Sequence, residues 1–262
     1  MARLGDVLGG TYLIRGTLGA GGTANVYLAE QIESGERYAL KEIPVEKAER
    51  AGMLAELLLK EKLYHPALPH LWTAWEERGN VYLVMDYVEG VGLDTLLRER
   101  GAIGEAQAVE WAKQLCKALT YLHGFHPPVI YRDMKPANVI LQSDGKVKLV
   151  DFGAICQKQT GKTNGLALGT PGYAAPEQYG SRPRSDVRTD VYGLGVTLYH
   201  MLTGHDPGRP PHLICRIREW DPRLSPRLER IVMKCTAKHP WQRYQSCAAL
   251  LKALETYEER KK

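Results

Sequence analysis

Two short stretches hold side chains of the kinds that move a phosphoryl group. One is Tyr131-Arg132-Asp133-Met134-Lys135-Pro136-Ala137-Asn138; the other, beyond a hairpin-like stretch, is Asp151-Phe152-Gly153. Phosphoryl transfer to a hydroxyl needs a carboxylate to orient that hydroxyl, hard oxygen ligands for a divalent cation, and positive charge to neutralise the group in flight. Asp133 can supply the first, Asn138 with Asp151 the second, and Lys135 with Lys41 the third. Amide and carboxylate oxygens suit Mg2+, which keeps several waters and takes its remaining ligands from phosphates. Either aspartate alone reads as an ordinary loop residue. The spaced set, in this order, carries the chemistry.

Upstream, Gly19-Ala20-Gly21-Gly22-Thr23-Ala24-Asn25-Val26 lies between two strand-like runs. Glycines there allow backbone N–H groups to approach phosphate oxygens with no Cβ in the way. By itself such a cluster also suits plain hairpin geometry. It is not a Walker loop, since no Gly-Lys-Ser or Gly-Lys-Thr follows. Tyr38-Ala39-Leu40-Lys41 ends the next apolar run. A lysine there is either a solvated edge charge or a cation reaching the α- and β-phosphates of a nucleotide. In the second role it needs a carboxylate to hold it; Glu56 on the following helix is the candidate and Glu61 the alternative.

The elements that must position these groups fall into two kinds. Thr11–Leu18, Val26–Gln31 and Glu36–Ile43 are short runs rich in Val, Ile, Tyr and Leu, and they read as strands. Ser34-Gly35 turns the second into the third. Val45–Tyr64, with many Ala, Leu, Glu and Lys, predicts a helix stopped by His65-Pro66. Strand-like runs follow at Leu71–Trp75 and Val81–Tyr87, and Met85–Gly90 is the candidate hinge. Beyond it the pattern turns helical. In Glu105–His123 the residues Val109, Ala112, Leu115, Cys116, Leu119 and Leu122 recur at helical spacing, with Gly124 placed to cap. Strand-like pieces at Val129–Tyr131, Val139–Gln142 and Val147–Val150 precede a polar stretch from Gln157 to Gly165. Helices are predicted over Ser185–Thr203, Ser225–Lys238 and Ser246–Glu259.

With these residues in view, the chain resembles the eukaryotic-type serine/threonine protein kinases over about residues 8 to 258. Asp151-Phe152-Gly153 and Ala175-Pro176-Glu177 match the two ends of that family's activation segment. Asp190-Val-Tyr-Gly-Leu-Gly195 resembles its central helix, whose aspartate holds the catalytic-loop backbone, and Arg243 matches the arginine that pairs with the glutamate, here Glu177. Gly-Gly-Thr-Ala and Gly169-Thr-Pro-Gly-Tyr-Ala-Ala-Pro-Glu-Gln resemble bacterial members most. Lys135 and Thr170 resemble the serine/threonine class.

The resemblance implies an α+β, two-lobed fold: a small antiparallel sheet with one helix over about 8–85, a hinge at 86–90, and a larger, mainly helical lobe over 91–260. It implies ATP with Mg2+, Mn2+ being a possible substitute, and transfer of the γ-phosphate to Ser or Thr of proteins. Nucleotide contacts then fall on Leu18, Gly19, Gly21, Gly22, Ala24, Val26, Ala39, Lys41, Glu56 and Ile140, with hinge contacts at Asp86 and Val88 and Met85 guarding the rear pocket. Asp133, Lys135, Lys41 and Thr170 are the catalytic set, and Asn138 and Asp151 the metal ligands. Arg132, Phe152, Gly153, Glu177, Asp190 and Arg243 are structural or regulatory. Thr160 and Thr163 are candidate sites of self-phosphorylation, which self-association would serve; a phosphothreonine, with about −1.5 to −2 charges, could pair with Arg132.

Four departures stand out. Ala24 replaces the third glycine of the nucleotide loop, and a small residue there still permits close approach. Tyr131 replaces a histidine packed near Phe152, a change that bears on switching more than on chemistry. Lys60 falls where the family has an apolar residue, which leaves the helix register, and hence Glu56 against Glu61, open. Gly92, Ala137 and His200 sit where basophilic relatives carry acids, so a preference for arginine-rich substrates is not implied. Two rivals are a pseudokinase that binds nucleotide without turnover and a small-molecule kinase of aminoglycoside-phosphotransferase type. The complete catalytic set opposes the first, and the Ala-Pro-Glu segment with its arginine opposes the second.

Composition agrees with a folded enzyme domain. The 262 residues are 44% hydrophobic and 25% charged, enough apolar material for a core without metal or disulfide staples. The net charge of +5 is spread along the chain, giving little support to a nucleic-acid partner. Cys116, Cys156, Cys215, Cys235 and Cys247 show no C-x-x-C spacing and read as free thiols of a reducing compartment. No secretory signal opens the chain and no run of 18 apolar residues could span a bilayer. The expected location is the cytoplasm, or the cytoplasmic portion of a membrane-anchored parent.

Overall fold

In the first 89 residues, alternation of apolar and polar side chains builds a sheet whose two faces do different work. The computed structural model describes residues 1–20, 24–44, 63–152, 156–157, 169–179 and 184–259. The chain divides into two compact units, Met1–Glu89 and Gly90–Lys262.

The first unit is an antiparallel sheet of six strands in the order β1-β2-β3-β4-β6-β5. These are β1 (Val7–Leu8), β2 (Tyr12–Ala20), β3 (Asn25–Gln31), β4 (Arg37–Pro44), β5 (Leu71–Glu77) and β6 (Asn80–Asp86). β2 is bulged twice, between Ile14 and Gly16 and between Thr17 and Gly19. The β5–β6 turn is the pair Arg78-Gly79, with φ of 50° and 72°. Two successive positive φ angles match the right-handed twist of a hairpin, and the glycine adopts one without steric cost.

Cross-strand pairs Val26–Lys41, Lys41–Leu83 and Ala39–Met85 put these residues on one face. The opposite face carries Tyr27, Leu40, Tyr82 and Val84, which join Leu8, Ile14 and Ala29 in a buried cluster with Tyr12 and Trp75 against it. Tyr12, Trp75 and Tyr82 stack in series, with centroid separations of 5.7 and 5.4 Å. The predicted helix Val45–Tyr64 falls outside the described residues over 45–62; Leu63 and Tyr64 are not helical, in keeping with the steric bar that Pro66 sets against helical backbone just before it.

The second unit comprises β7 (Val91–Gly92), α1 (Leu93–Arg100), α2 (Glu105–His123), β8 (Val129–Ile130), β9 (Val139–Leu141), β10 (Val147–Leu149), β11 (Cys156–Gln157), α3 (Val187–Thr203), α4 (Ile217–Trp220), α5 (Pro226–Cys235) and α6 (Cys247–Glu259). β10, β9 and β7 form one small sheet, and β11 pairs with β8. α2 buries the predicted stripe, with Val109, Ala112, Leu115, Cys116, Leu119 and Leu122 fully enclosed. Each such leucine contributes about 1.5–3 kcal/mol.

α3 is buried on nearly every side, from Thr189 to Leu202. Two glycines make that possible. A Cβ on Gly195 would lie 2.3 Å from the Cβ of Cys235 on α5, and one on Gly193 would lie 3.0 Å from the Cβ of Met134.

Helix ends shift from the sequence pattern for local reasons. Asp186 caps α3 by accepting from Arg188 N at 2.8 Å, so the helix starts at Val187 and not at Ser185. Ser225 caps α5 by accepting from Arg227 N at 3.2 Å. α5 stops at Cys235, three residues short of the Lys238 expected. Gly124 closes α2 as expected, its N–H donating to the Thr120 and Tyr121 carbonyls. Cys116, Cys235 and Cys247 are buried free thiols and Cys215 is partly exposed. Burial pushes the three buried thiols well up from their ordinary range.

Candidate active site

Within the second unit the segment joining β8 to β9 carries Asp133, and its backbone is fixed before any side chain is considered. Arg132 has φ of 68° and Asp151 φ of 65°. A non-glycine residue in this region costs on the order of 1–3 kcal/mol and persists only where the surroundings over-determine it. At Arg132 they do. The fully buried carboxylate of Asp190, at the start of α3, accepts from Tyr131 N at 2.8 Å and from Arg132 N at 2.7 Å. It also accepts from His123 Nε2 at 2.8 Å, so one side chain ties α2, α3 and the loop together. Gln178, 3% exposed, donates to the Arg132 carbonyl at 2.9 Å and accepts from Ala175 N at 2.8 Å. The backbone before and after Arg132 is therefore held from two sides.

The side chains then converge. Asp133 Oδ2 lies 2.8 Å from Lys135 Nζ, and its Oδ1 accepts from Thr170 Oγ1 at 2.9 Å. Lys135 Nζ in turn lies 2.6 Å from Thr170 Oγ1. Asn138, buried in the 3-10 turn Pro136–Asn138, donates from Nδ2 to the Asp133 carbonyl at 2.8 Å and to Asp133 Oδ2 at 3.1 Å. With its nitrogen engaged there, the amide oxygen of Asn138 is the end left for a cation. Val150 N donates to the Asn138 carbonyl at 2.8 Å, which brings Asp151 alongside.

Among the described residues no group of three His, Cys, Asp or Glu side chains gathers to hold a metal. The donors present are two hard oxygen groups, Asn138 and Asp151. They fit a divalent cation completed by phosphate and water.

Tyr131 donates from its hydroxyl to the Val150 carbonyl, next to Asp151. Burial, then the nearby Asp151 carboxylate, push this phenol well above its ordinary range, so it stays a hydrogen-bond donor. Phe152 is 2% exposed. Glu177 and Arg243 form a bidentate pair at 2.6 and 2.8 Å, with the arginine side chain wholly buried and its ring neighbour Tyr192 at 4.7 Å.

Sequence comparisons place the chain in a family. A family model described as protein kinase domain matches residues 12–254. The chain belongs to the protein kinase domain family. Its relatives include sperm motility kinase 2A of Mus musculus, 31% identical over 88% of this chain and 49% of the relative. Another is the serine/threonine-protein kinase PrkC of Bacillus subtilis, 30% identical over 93% of this chain and 40% of the relative. CBL-interacting serine/threonine-protein kinase 18 of Arabidopsis thaliana is 33% identical over 77% of this chain and 40% of the relative. The chain spans half or less of the length of these relatives. The family uses ATP and a divalent metal.

In the first unit of this kinase domain, Lys41 is 3% exposed within β4, and Met85 and Val88 are buried. Gly19 pairs with Val26 beside the second bulge of β2, while Leu18 is 45% exposed and Ala24 and Ala39 are partly buried. The Asp86 carboxylate accepts from Trp72 Nε1 at 2.8 Å and His70 N at 3.0 Å, so its side chain is engaged within the sheet. Ile140 lies in the second unit, on β9 opposite Gly92. A Cβ on Gly90 would sit 2.7 Å from its Cγ2. Gly21, Gly22, Glu56, Glu61, Lys60, Gly153, Thr160 and Thr163 lie outside the described residues.

Sequence reasoning missed three contributors. His123 and Gln178 reach the loop from elements whose patterns give no hint of that role. Glu42, one residue beyond Lys41 and on the other face of β4, accepts from Tyr27 and Tyr82 hydroxyls at 2.8 and 3.0 Å and from Asn25 at 3.2 Å. Burial alone would raise its pKa, but these donors outweigh it and hold the carboxyl below its usual range. The available signal was strand alternation, which places Glu42 among apolar neighbours.

Proposed function

We propose that this domain transfers the γ-phosphate of ATP to serine or threonine hydroxyls of proteins, with Mg2+ as the metal and Mn2+ a possible substitute. The observation that carries this is the Asp133 carboxylate, bracketed by Lys135, Thr170 and Asn138 within 3.1 Å. Asp133 accepts a hydrogen bond from the incoming hydroxyl, orients it and takes its proton late in transfer. Lys135 offsets the negative charge that develops on the phosphoryl oxygens, and Thr170 holds the lysine and the aspartate in register. Asn138 and Asp151 would hold the cation, which when bound neutralises the phosphate oxygens.

From the Met1–Glu89 unit this reading takes Lys41 for the α- and β-phosphates, with Glu56 as its partner. The nucleotide would meet Leu18, Gly19, Gly21, Gly22, Ala24, Val26 and Ala39, and the hinge at 86–90. Control by phosphorylation at Thr160 or Thr163, paired with Arg132, belongs to the same proposal, as do protein substrates, self-association and a cytoplasmic location. Among the described residues no helix is long and apolar enough to cross a membrane.

Incubation with labelled ATP, Mg2+ and a generic protein substrate tests the reading. Label on serine and threonine is expected. Nucleotide binding without transfer, or label only on small-molecule acceptors, overturns it. Comparing wild type with Thr160→Ala/Thr163→Ala tests the control step, and equal rates would remove it.

A further inference from the structure

Far along the chain from Asp133, the surface between α5 and α6 is built as a basic groove. Arg227, Arg230 and Lys234 recur on one face of α5, and Lys252 faces them from α6. They line a cavity of about 410 Å3. Among the described residues none of these four side chains forms an ion pair. Of the acidic side chains described on the two helices, Glu229 accepts from Arg218 N at 3.1 Å, and Glu255 is not among the lining residues.

Lys234 is pre-positioned, with its ammonium 4.4 Å from the centre of the Tyr244 ring. The lining also includes Ala249 and Ala253, whose small side chains leave room between the cationic ones. Four like charges kept together without counter-charges cost repulsion, and an anionic partner relieves it.

We propose that this groove docks an extended acidic segment of a protein partner, with Arg227, Arg230, Lys234 and Lys252 pairing to its carboxylates or phosphates. The dimensions favour this occupant. From Arg227 to Lys234 the helix rises about 10 Å, the length of roughly three residues of extended chain. A single-stranded nucleic acid uses a longer track, of about 4–16 nucleotides. A lipid surface is met by apolar side chains at an exposed rim, whereas here Ile231 is 4% exposed on the floor. The inference does not depend on the assignment of the catalytic residues, since it concerns binding alone.

The experiment uses the whole chain and a fluorescein-labelled hexaglutamate peptide followed by anisotropy at low and at 150 mM salt. Saturable binding is expected, weakened about tenfold by Arg230→Ala/Lys234→Ala/Lys252→Ala and largely lost at the higher salt. The variant Arg230→Lys/Lys252→Arg, which keeps the charge, is expected to bind within about twofold of wild type, and circular dichroism checks that each variant is folded. Binding of the alanine variant within twofold of wild type overturns the proposal. So does failure of the peptide where vesicles of phosphatidylcholine with 30% phosphatidylserine, or an oligothymidylate, bind in a way the alanine variant abolishes.

Discussion

Arg243→Met removes a guanidinium whose side chain is 0% exposed and which makes five hydrogen bonds. Two go to Glu177 at 2.6 and 2.8 Å; the others go to the carbonyls of Ala237, Lys238 and Arg188 at 2.8, 3.0 and 3.1 Å. Methionine fills part of the volume and answers none of these acceptors. The Glu177 carboxylate then retains the Thr189 hydroxyl, 3.0 Å away, as its named donor. Breaking a buried pair from one side costs about 3–5 kcal/mol. At about 2–4 °C per kcal/mol for a unit of this size, the melting temperature should fall by roughly 6–20 °C.

Thermal unfolding followed by far-ultraviolet circular dichroism measures this. Arg243→Lys should lie between the two, since one ammonium cannot reach five acceptors. In Glu177→Gln/Arg243→Met the two losses should be non-additive, with coupling above about 1 kcal/mol. A fall of less than about 3 °C for Arg243→Met, or strict additivity in the double variant, would show that the pair does not hold the 169–179 segment to α3 and the residues around 237–243.

Asp133→Asn should reduce phosphoryl transfer by orders of magnitude with nucleotide affinity nearly unchanged, read by labelled-ATP turnover and calorimetry; turnover within a few-fold of wild type would remove Asp133 from its role. Gly193→Ala should lower activity more than stability, because its new Cβ would meet Met134 Cβ at 3.0 Å and the Met134 carbonyl at 3.2 Å, beside Asp133; a steady-state rate equal to wild type counts against it. Glu42→Gln should flatten the acid limb of stability. The carboxyl is held low in the folded chain, so its contribution is present above the unfolded value of about 4.3 and is lost as the pH falls below that. At the alkaline end Tyr27, pushed up to about 12 chiefly by burial, makes stability fall as the pH rises past about 10, where the unfolded phenol ionises. Denaturant midpoints measured from pH 3 to 11 check both limbs, and parallel acid limbs for wild type and Glu42→Gln would refute the first.

The proposed catalytic cluster was legible because its members lie close in sequence. Asp133, Lys135 and Asn138 sit within one turn-rich segment, so residue type and spacing already specify their meeting. Thr170 and Arg243 came only through the resemblance, since nothing local ties either to its partner. His123 and Gln178 stayed hidden for a related reason: their contacts are set by how α2 and the Pro176–Gln178 turn pack, which periodicity does not encode. Strand alternation predicted the sheet, and helix ends slipped by one to three residues wherever a side-chain cap, such as Asp186, set the boundary. The short helix α4 has four residues, too few to show a period.

Asp190 lends the loop a further property. Because the amides of Tyr131 and Arg132 both donate to one buried carboxylate, their hydrogens can reach solvent only when the start of α3 and the loop come apart. Their deuterium uptake is therefore a clock for that opening, readable in the resting protein with neither nucleotide nor acceptor present. An arginine held at φ of 68° next to Asp133 gives the opened segment a reason to relax away, so re-protection of these two amides marks the return of the loop to the conformation that sets Asp133 beside Lys135 and Thr170.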